Sequence, residues 1–589
     1  MFGLRFLVPL VLVLGCLTAS ADDECRAFAL LREGKYEEAH ALFMEELGRR
    51  SVPYDGRVEF RERWADALSA AGYQSEALVE REMARSETPE AEKRPYVQPE
   101  VRTFLAAEPK SGRPGRTYFI APGGQDDADG SLEHPFATVA RVQRVIRQLK
   151  TNRQYPKGGI TVFIRRGTYP MAPGLAFDEY DSGEPGSPVT WRPYGNERPV
   201  FDGGWKVPAL KPVADAATLA RLPTVVRDKV RCCDVRAAGY APKEVRMPSG
   251  KSSAKSKRGP VTDLYADGVR LAPACGADGV RTLDALDEPG EWYLDAEDGV
   301  LYVWPPEKGG ELVLSEFSDV FLEIEDLHDV RFGGLTFQNG RFDAVVMKDC
   351  SNVRFARNVI RNFGGNAIAA VRAKEIRVTG NAISNFGEQG VVLSGGNRQS
   401  LTSAKCVIDG NDFSFLGSGL GAGVAAVRAF GCGIGVVRNR LHDLPAVAIR
   451  LEGSDLCVFS NAVDRMTGAC GAIDIPHVPA SAVNLVSYNE FRDVATPVRL
   501  GEDVSCVDIH ANRFERCGRT GSGVVQINGG RNNVVDGNTF VDCPCGVSIS
   551  PSRGVGEQVN LITRNLLTRT PQTVSTTVSG TRVSGNRHR

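Results

Sequence analysis

Ten asparagines spaced through the second half of the chain predict a right-handed parallel β-helix, an all-β solenoid with one coil per repeat. Asn358, Asn381, Asn411, Asn439, Asn461, Asn489, Asn512, Asn538, Asn565 and Asn586 each follow a short strand, at separations of 21 to 30 residues. A sustained period in the twenties is that of a solenoid. From Val330 onward, runs of three to five residues also alternate apolar and polar between Gly/Asn turns, the period of strands with one buried face. Finally, 63 glycines in 589 residues exceed the usual share of about 7%, as a chain with many turns requires. Leucine-rich repeats have a similar length but need a Leu-x-x-Leu-x-Leu frame, which is absent. Asn suits a left-handed turn position, and stacked Asn side chains can bond from coil to coil. Ten coils rising about 4.8 Å each give roughly 50 Å of rod.

Composition sets the outer bounds. Lys and Arg (71) balance Asp and Glu (72), which removes the electrostatic case for a nucleic-acid partner. At 42% hydrophobic and 24% charged the chain has a globular composition. Residues 1–21 read as an export signal: one positive charge in Met1–Arg5, the apolar run Phe6–Leu14, and the small-residue site Ala19-Ser20-Ala21. Val13-Leu14-Gly15-Cys16 offers a second reading, a lipoprotein with lipid on Cys16. Either way the protein is expected outside the cytoplasm, periplasmic or extracellular. No apolar stretch is long enough to form a transmembrane helix across about 30 Å of hydrocarbon. Cys232-Cys233 and Cys543-Pro544-Cys545 lack zinc-knuckle spacing, so most cysteines are expected as buried thiols. The seven His are dispersed, and no metal or cofactor is expected.

The segment 24–92 reads as helical. Ala27, Leu31, Gly34, Tyr36, Ala39 and Phe43 follow the small–large spacing of a tetratricopeptide-like hairpin, which Ala65, Leu68, Gly72, Tyr73 and Ala77 repeat more loosely. The segment is either a protein-binding arm or a helical pad. Residues 93–116 read as a linker. Residues 117–310 are expected to hold the first part of the β-helix with a capping helix and insertions, and 311–589 the regular solenoid. Pro248–Pro260, with Lys251, Lys255, Lys257 and Arg258 among Ser and Gly, reads as a basic loop.

Residues 117–205 contain Tyr118-Phe119-Ile120-Ala121-Pro122-Gly123-Gly124, His134-Pro135-Phe136-Ala137-Thr138, Arg166-Gly167-Thr168-Tyr169 and Pro199-Val200-Phe201-Asp202-Gly203-Gly204. Glu291-Trp292-Tyr293-Leu294-Asp295 and Gly299-Val300-Leu301-Tyr302-Val303-Trp304-Pro305-Pro306 follow. In this order the motifs resemble a group of secreted parallel β-helix proteins with a pectate-lyase-like fold that includes α-L-fucosidases, xylanases and β-xylosidases. The resemblance covers roughly 117–500. It implies a β-helix that starts near residue 117, a capping helix around Val139–Lys150, and carbohydrate as the substrate class. Three polar family positions are neutral or apolar here. Asn397 stands for an Asp in Leu393-Ser394-Gly395-Gly396-Asn397-Arg398, Ala446 for a His in His442-Asp443-Leu444-Pro445-Ala446, and Ala469 for an acid before Cys470-Gly471-Ala472-Ile473.

The strand frame also assigns faces. In Val427-Arg428-Ala429, Ile449-Arg450-Leu451, Ile473-Asp474-Ile475, Val498-Arg499-Leu500, Val525-Gln526-Ile527 and Val547-Ser548-Ile549, the flanking apolar residues point inward and the middle residue outward. Stacking then puts Arg428, Arg450, Asp474, Arg499, Gln526 and Ser548 in one file, with Glu452 and Asn528 beside it and His477 and Glu502 near the strand ends. Such a file suits an extended polymer, with Arg428, Arg450, Arg499, His477 and Gln526 as substrate-binding residues.

A glycosidase needs two carboxylates, one of them with a raised pKa. Glu452 and Asp474 are the expected catalytic pair, about 7–8 Å apart. Arg450 and Arg499 at about 5 Å each favour ionised Asp474 by roughly 3 kcal/mol at an effective dielectric of about 20. That makes Asp474 the nucleophile or base and leaves Glu452 as the acid. The competing reading of the file is a solvated ion ladder. Glu388, Asp443 and Glu502 are further acids, placed at turns.

The expected function is therefore a glycoside hydrolase-like protein acting on or binding a polysaccharide or oligosaccharide. One alternative is a non-catalytic glycan- or protein-binding surface protein. The other is a polysaccharide lyase, against which stand the absence of a calcium-binding acid cluster in the file and the difficulty of deprotonating Arg. Residues 311–589 contain no Trp and one Tyr, Tyr488, so any stacking platform for a sugar there must be Phe.

Overall fold

In a computed structural model of the chain, the described residues are 115–588 apart from 241–261, 277–279, 399, 415–423, 446, 467–470, 477–483, 503, 519–521, 552–559, 577 and 579, together with much of 26–49 and single positions from 61 to 80. The export signal, most of the linker, the basic loop, Ala446, Ala469, Cys470 and His477 lie outside them. The chain divides into two units, 1–96 with 480–482, and the remainder.

In the first unit the helix Tyr36–Arg49 follows a turn at Gly34, whose φ of +76° lies in the left-handed region that favours glycine. Ala27, Leu31, Tyr36, Ala39 and Phe43 are buried, as are Trp64, Ala65, Leu68 and Ala77. The Phe43 and Trp64 rings stack at 4.7 Å. Burial, followed by the charge of Arg61, pushes the His40 imidazole down to about 4.

The second unit is a parallel β-helix. Three stacks of strands run along it, and consecutive coils pair in parallel register. The first stack begins with Leu175–Phe177 and Leu322–Glu325 and reaches Gln572–Thr576. The second begins with Arg116–Ile120, Ile160–Ile164 and Val189–Pro193 and reaches Arg582–Ser584, fourteen strands among the described residues. The third runs from Gly167–Pro170 to Arg587–His588. Two long strands, Ala425–Val437 and Val447–Phe459, belong to the first stack with their first halves and to the second with their last.

Alternation explains the core. In Ile160–Ile164, Ile160, Val162 and Ile164 are buried while Thr161 and Phe163 are partly exposed; His328–Gly333 and Ser351–Ala356 alternate likewise, whereas Cys406–Asp409, Asn484–Ser487 and Val507–His510 are buried throughout. Identical side chains then meet from coil to coil: Phe491, Phe514 and Phe540 stack at 5.0 Å each. One end is covered by the helix Val139–Thr151, N-capped by Thr138, which turns Val139, Val142, Ile146 and Leu149 inward. Arg147 of that helix donates to Asp181 and Asp178, and Gln143 also donates to Asp181. Residues 204–315 leave the solenoid and form two small, largely antiparallel sheets of four and five strands around Leu264, Trp292, Leu301 and Leu314.

The ten asparagines form one unbroken ladder. The Asn461 side chain donates to the Asn489 carboxamide oxygen at 2.9 Å and to the Val436 carbonyl at 2.9 Å, and it accepts from the backbone and side chain of Asn439. The same pattern continues from Asn358 to Asn586. The left-handed position, however, is not the Asn. It is the residue before it: Arg357, Gly380, Gly410, Arg438, Ser460, Tyr488, Ala511, Gly537, Arg564 and Gly585 all have φ between 52° and 65°. The turn at that residue aims the Asn carboxamide into the interior. There it satisfies backbone groups that the corner would otherwise leave unpaired.

Candidate active site

The first stack carries the charged file in the expected order. Pairing runs Arg428 to Arg450, Arg450 to Asp474, Asp474 to Arg499, Arg499 to Gln526 and Gln526 to Ser548. Arg428 donates to both Glu452 oxygens at 3.1 and 2.9 Å, and Arg450 to one of them at 2.8 Å. The other end of the Arg450 guanidinium stands 3.6 Å from Asp474, which accepts from Arg499 at 2.8 Å. A single guanidinium thus links the two carboxylates.

Two features depart from expectation. Asp474 does not face solvent: its side chain is only 2% exposed, closed over by Arg450 and Arg499. Glu452 is partly buried, and burial raises its carboxyl, but the hydrogen bonds and charges of Arg428 and Arg450 outweigh this and hold it below its ordinary value. Glu502 is exposed in a turn, and no distance connects it to the file.

A second group of carboxylates lies at the corner between the third stack and the first, on the coils just before the file. The corner residues Asp343, Asn366 and Gln389 sit 23 residues apart, one per coil. Asp343 Oδ1 accepts from the Asn366 backbone at 2.6 Å and from its side-chain nitrogen at 3.1 Å. The same nitrogen lies 3.2 Å from Glu388 Oε2. Two acceptors on one amide nitrogen stand about 5 Å apart, within the carboxylate spacing of a retaining glycosidase.

The environments of these two acids differ. Burial, with the charge of Glu388 adding to it, pushes the Asp343 carboxyl up to about 7 against the opposing Asn366 bonds. As residues, Asp343 and Glu388 are both partly buried. The corner admits Asp343 because Gly365 lacks a side chain; a Cβ there would lie 2.1 Å from Asp343 Oδ1. Nothing in the alternation marks Asp343, since it belongs to no strand. The repeat period aligns Asp343 with Asn366 and Gln389 in one register but does not pair it with Glu388, which lies one residue away.

A third cluster surrounds His442 on the third stack. Its ring nitrogens face Asp443 at 2.6 Å and Asp412 at 2.8 Å, and Arg465 clamps Asp443 at 2.8 and 2.9 Å. Arg465 and then His442 hold the Asp443 carboxyl well below the usual carboxylate range. This closed set of ion pairs leaves Asp443 without a proton to give. Asn397 shares a backbone bridge with Thr402. Among the described residues, no group of three or more His, Cys, Asp or Glu side chains is placed to hold a metal ion, and no helix is long and apolar enough to cross a membrane.

A family model described as "Right handed beta helix region" matches residues 321–412. The fold is a right-handed parallel β-helix. Over 89 residues, 15% of the chain, the sequence is 34% identical to the uncharacterized protein YwoF of Bacillus subtilis (strain 168), and it spans 16% of that relative's length. Among solved structures, one titled "Glycoside hydrolase" is 13% identical with a TM-score of 0.49, covering 80% of this chain and 96% of that one. A complex of XylC with xylose is 12% identical with a TM-score of 0.45, over 79% and 86% of the two chains. A lacto-N-biosidase from Eubacterium ramulus is 12% identical with a TM-score of 0.36, over 97% and 99%.

Proposed function

We propose that this is an exported, carbohydrate-directed β-helix protein that hydrolyses glycosidic bonds, with Asp343 as its acid–base residue and Glu388 as its nucleophile. The observation that carries the reading is the Asp343–Asn366–Glu388 bridge: two carboxyls about 5 Å apart on one amide nitrogen, with burial pushing Asp343 up to about 7. With both bonds from Asn366 on Oδ1, the proton of Asp343 sits on Oδ2. It passes to the glycosidic oxygen as the bond from the anomeric carbon breaks. Glu388 attacks that carbon, and water, losing its proton to Asp343, then releases the sugar with retained configuration.

In this reading the file of Arg428, Arg450, Arg499 and Gln526 holds the chain. Asp474 and Glu452 keep the arginines in place instead of performing the chemistry, because both are already ion-paired. His477 remains a proposed contact at the end of the Asp474 strand. The order of the sequence motifs in 117–304 supports carbohydrate as the substrate class.

The test is mass spectrometry of the purified protein with a panel of plant and algal glycans, run beside Asp343→Asn, Glu388→Gln, Asp474→Asn and Glu452→Gln. Asp343→Asn and Glu388→Gln are expected to lower turnover by about a hundredfold or more, and the other two to raise KM. Full activity in Asp343→Asn would overturn the assignment. A collapse of kcat in Asp474→Asn with binding intact would move the chemistry to the file. Unsaturated products would indicate a lyase, and retention without cleavage a binding protein.

A further inference from the structure

The outward face of the first stack is divided along its length. From Arg428 toward the C-terminus its side chains are charged or polar. On the coils before, the same face shows Val346, Ala369, Val371, Val392 and Ser394, with exposed Lys348 in register with Val371 and ion-paired to Glu325, and the division ends at Phe430, in register with Ser394 on one side and Glu452 on the other. Val371 and Phe430 are each 42% exposed. Among the described residues, Phe430 is the phenylalanine whose ring stands open to water; the others serve the core stacks or are at least partly covered. An exposed aromatic ring on an open sheet is the informative departure from ordinary burial.

We infer that Phe430 is the stacking platform for a neutral pyranose ring, and that the Val346–Phe430 tract seats successive rings of an unbranched glycan, one per coil. The inference rests on the carbohydrate reading above. Three observations commit the tract to that occupant. A sugar ring presents an apolar face of axial hydrogens, which an aromatic ring covers without needing a charge. Hydroxyl partners flank the platform: Arg428, two residues back on the same strand, donates, and Glu452, one coil on, accepts. Coils repeat about every 4.8 Å, close to the length of one pyranose unit, so the register of the tract matches a polymer of that repeat.

Neutrality follows from the ion pairs. Arg428 and Arg450 are engaged by Glu452, and Arg450 and Arg499 by Asp474. The positive charge of the file is therefore almost cancelled where it meets Phe430, and the polar groups there suit hydroxyls better than carboxylates or sulfates.

Isothermal titration calorimetry with xylohexaose, cellohexaose and hexagalacturonate tests this on wild type, Phe430→Ala and Phe430→Trp, each in 50 and 500 mM salt. The expected result is binding of a neutral hexasaccharide that varies little with salt, weakens about tenfold in Phe430→Ala, and is kept or tightened in Phe430→Trp. Because the ring is exposed, unfolding is not expected in either variant, and thermal melts check it. Equal affinity of wild type and Phe430→Ala would overturn the inference while leaving the carbohydrate reading intact. So would binding of hexagalacturonate alone with steep salt dependence, or a change confined to self-association on ultracentrifugation. Wild type that neither binds nor cleaves any glycan would overturn both.

Discussion

At the scale of single residues, the contrast is between carboxylates already held by arginine and one that is not. Asp343 binds its proton more tightly folded, at about 7, than its ordinary 3.8. The stability linked to that proton is fully present below 3.8 and is lost as pH rises through 7. Asp343→Asn removes this dependence, so thermal melts should show the variant gaining on wild type between about pH 4 and 7. With Asp343 as the acid, wild-type activity also falls above about pH 7 as the proton leaves. Asp474→Asn has a different outcome. It leaves Arg450 and Arg499 facing one neutral amide oxygen in place of a buried carboxylate, and urea unfolding should register a loss of about 1–3 kcal/mol. His40 has the opposite sign to Asp343: its imidazole is lowered from 6.5 to about 4. The stability it supports is present above 6.5 and lost as pH falls through 4, which hydrogen exchange of the Tyr36–Arg49 helix would report.

Among the elements, the asparagine ladder is the device that closes each coil. Each rung satisfies backbone groups at a corner where no strand partner exists, and each follows a residue in the left-handed region. For non-glycine residues such as Arg438 and Tyr488, that region costs about 1–2 kcal/mol. Asn461 is buried and both donates and accepts in the ladder. Asn461→Ala should therefore lower stability by about 2–4 kcal/mol in urea unfolding. Asn352→Ala, at a partly buried position outside this ladder where one bond to Asp329 is lost, should cost less. The period of the ladder was legible in the sequence because one residue type recurs at one register. The left-handed position was not legible, because ten turns use Arg, Gly, Ser, Tyr and Ala there, and only the backbone distinguishes them.

For the whole molecule, the solenoid turns residues far apart in sequence into neighbours on one face. The file from Arg428 to Ser548 could be read off because two periods, two residues along a strand and one coil between strands, place it completely. The corner pair could not, because Asp343 and Glu388 occupy turns. Turn residues have no alternation to reveal their direction, and Glu388 is one residue out of the Asp343–Asn366–Gln389 register. The same rule governs the platform: Phe430 looks like one more core phenylalanine until its outward register is known.

By itself the sequence determined the β-helix, its short alternating strands, the asparagine register and the order of the charged file, since each follows from local period and the pairing of equivalent positions. Only the tertiary structure decided that Asp474 is enclosed, that Glu452 is held ionised by two arginines, and that Asp343 and Glu388 share one amide nitrogen. Protonation and access depend on what lies within a few ångströms across coils, and that environment is assembled from residues more than twenty positions apart.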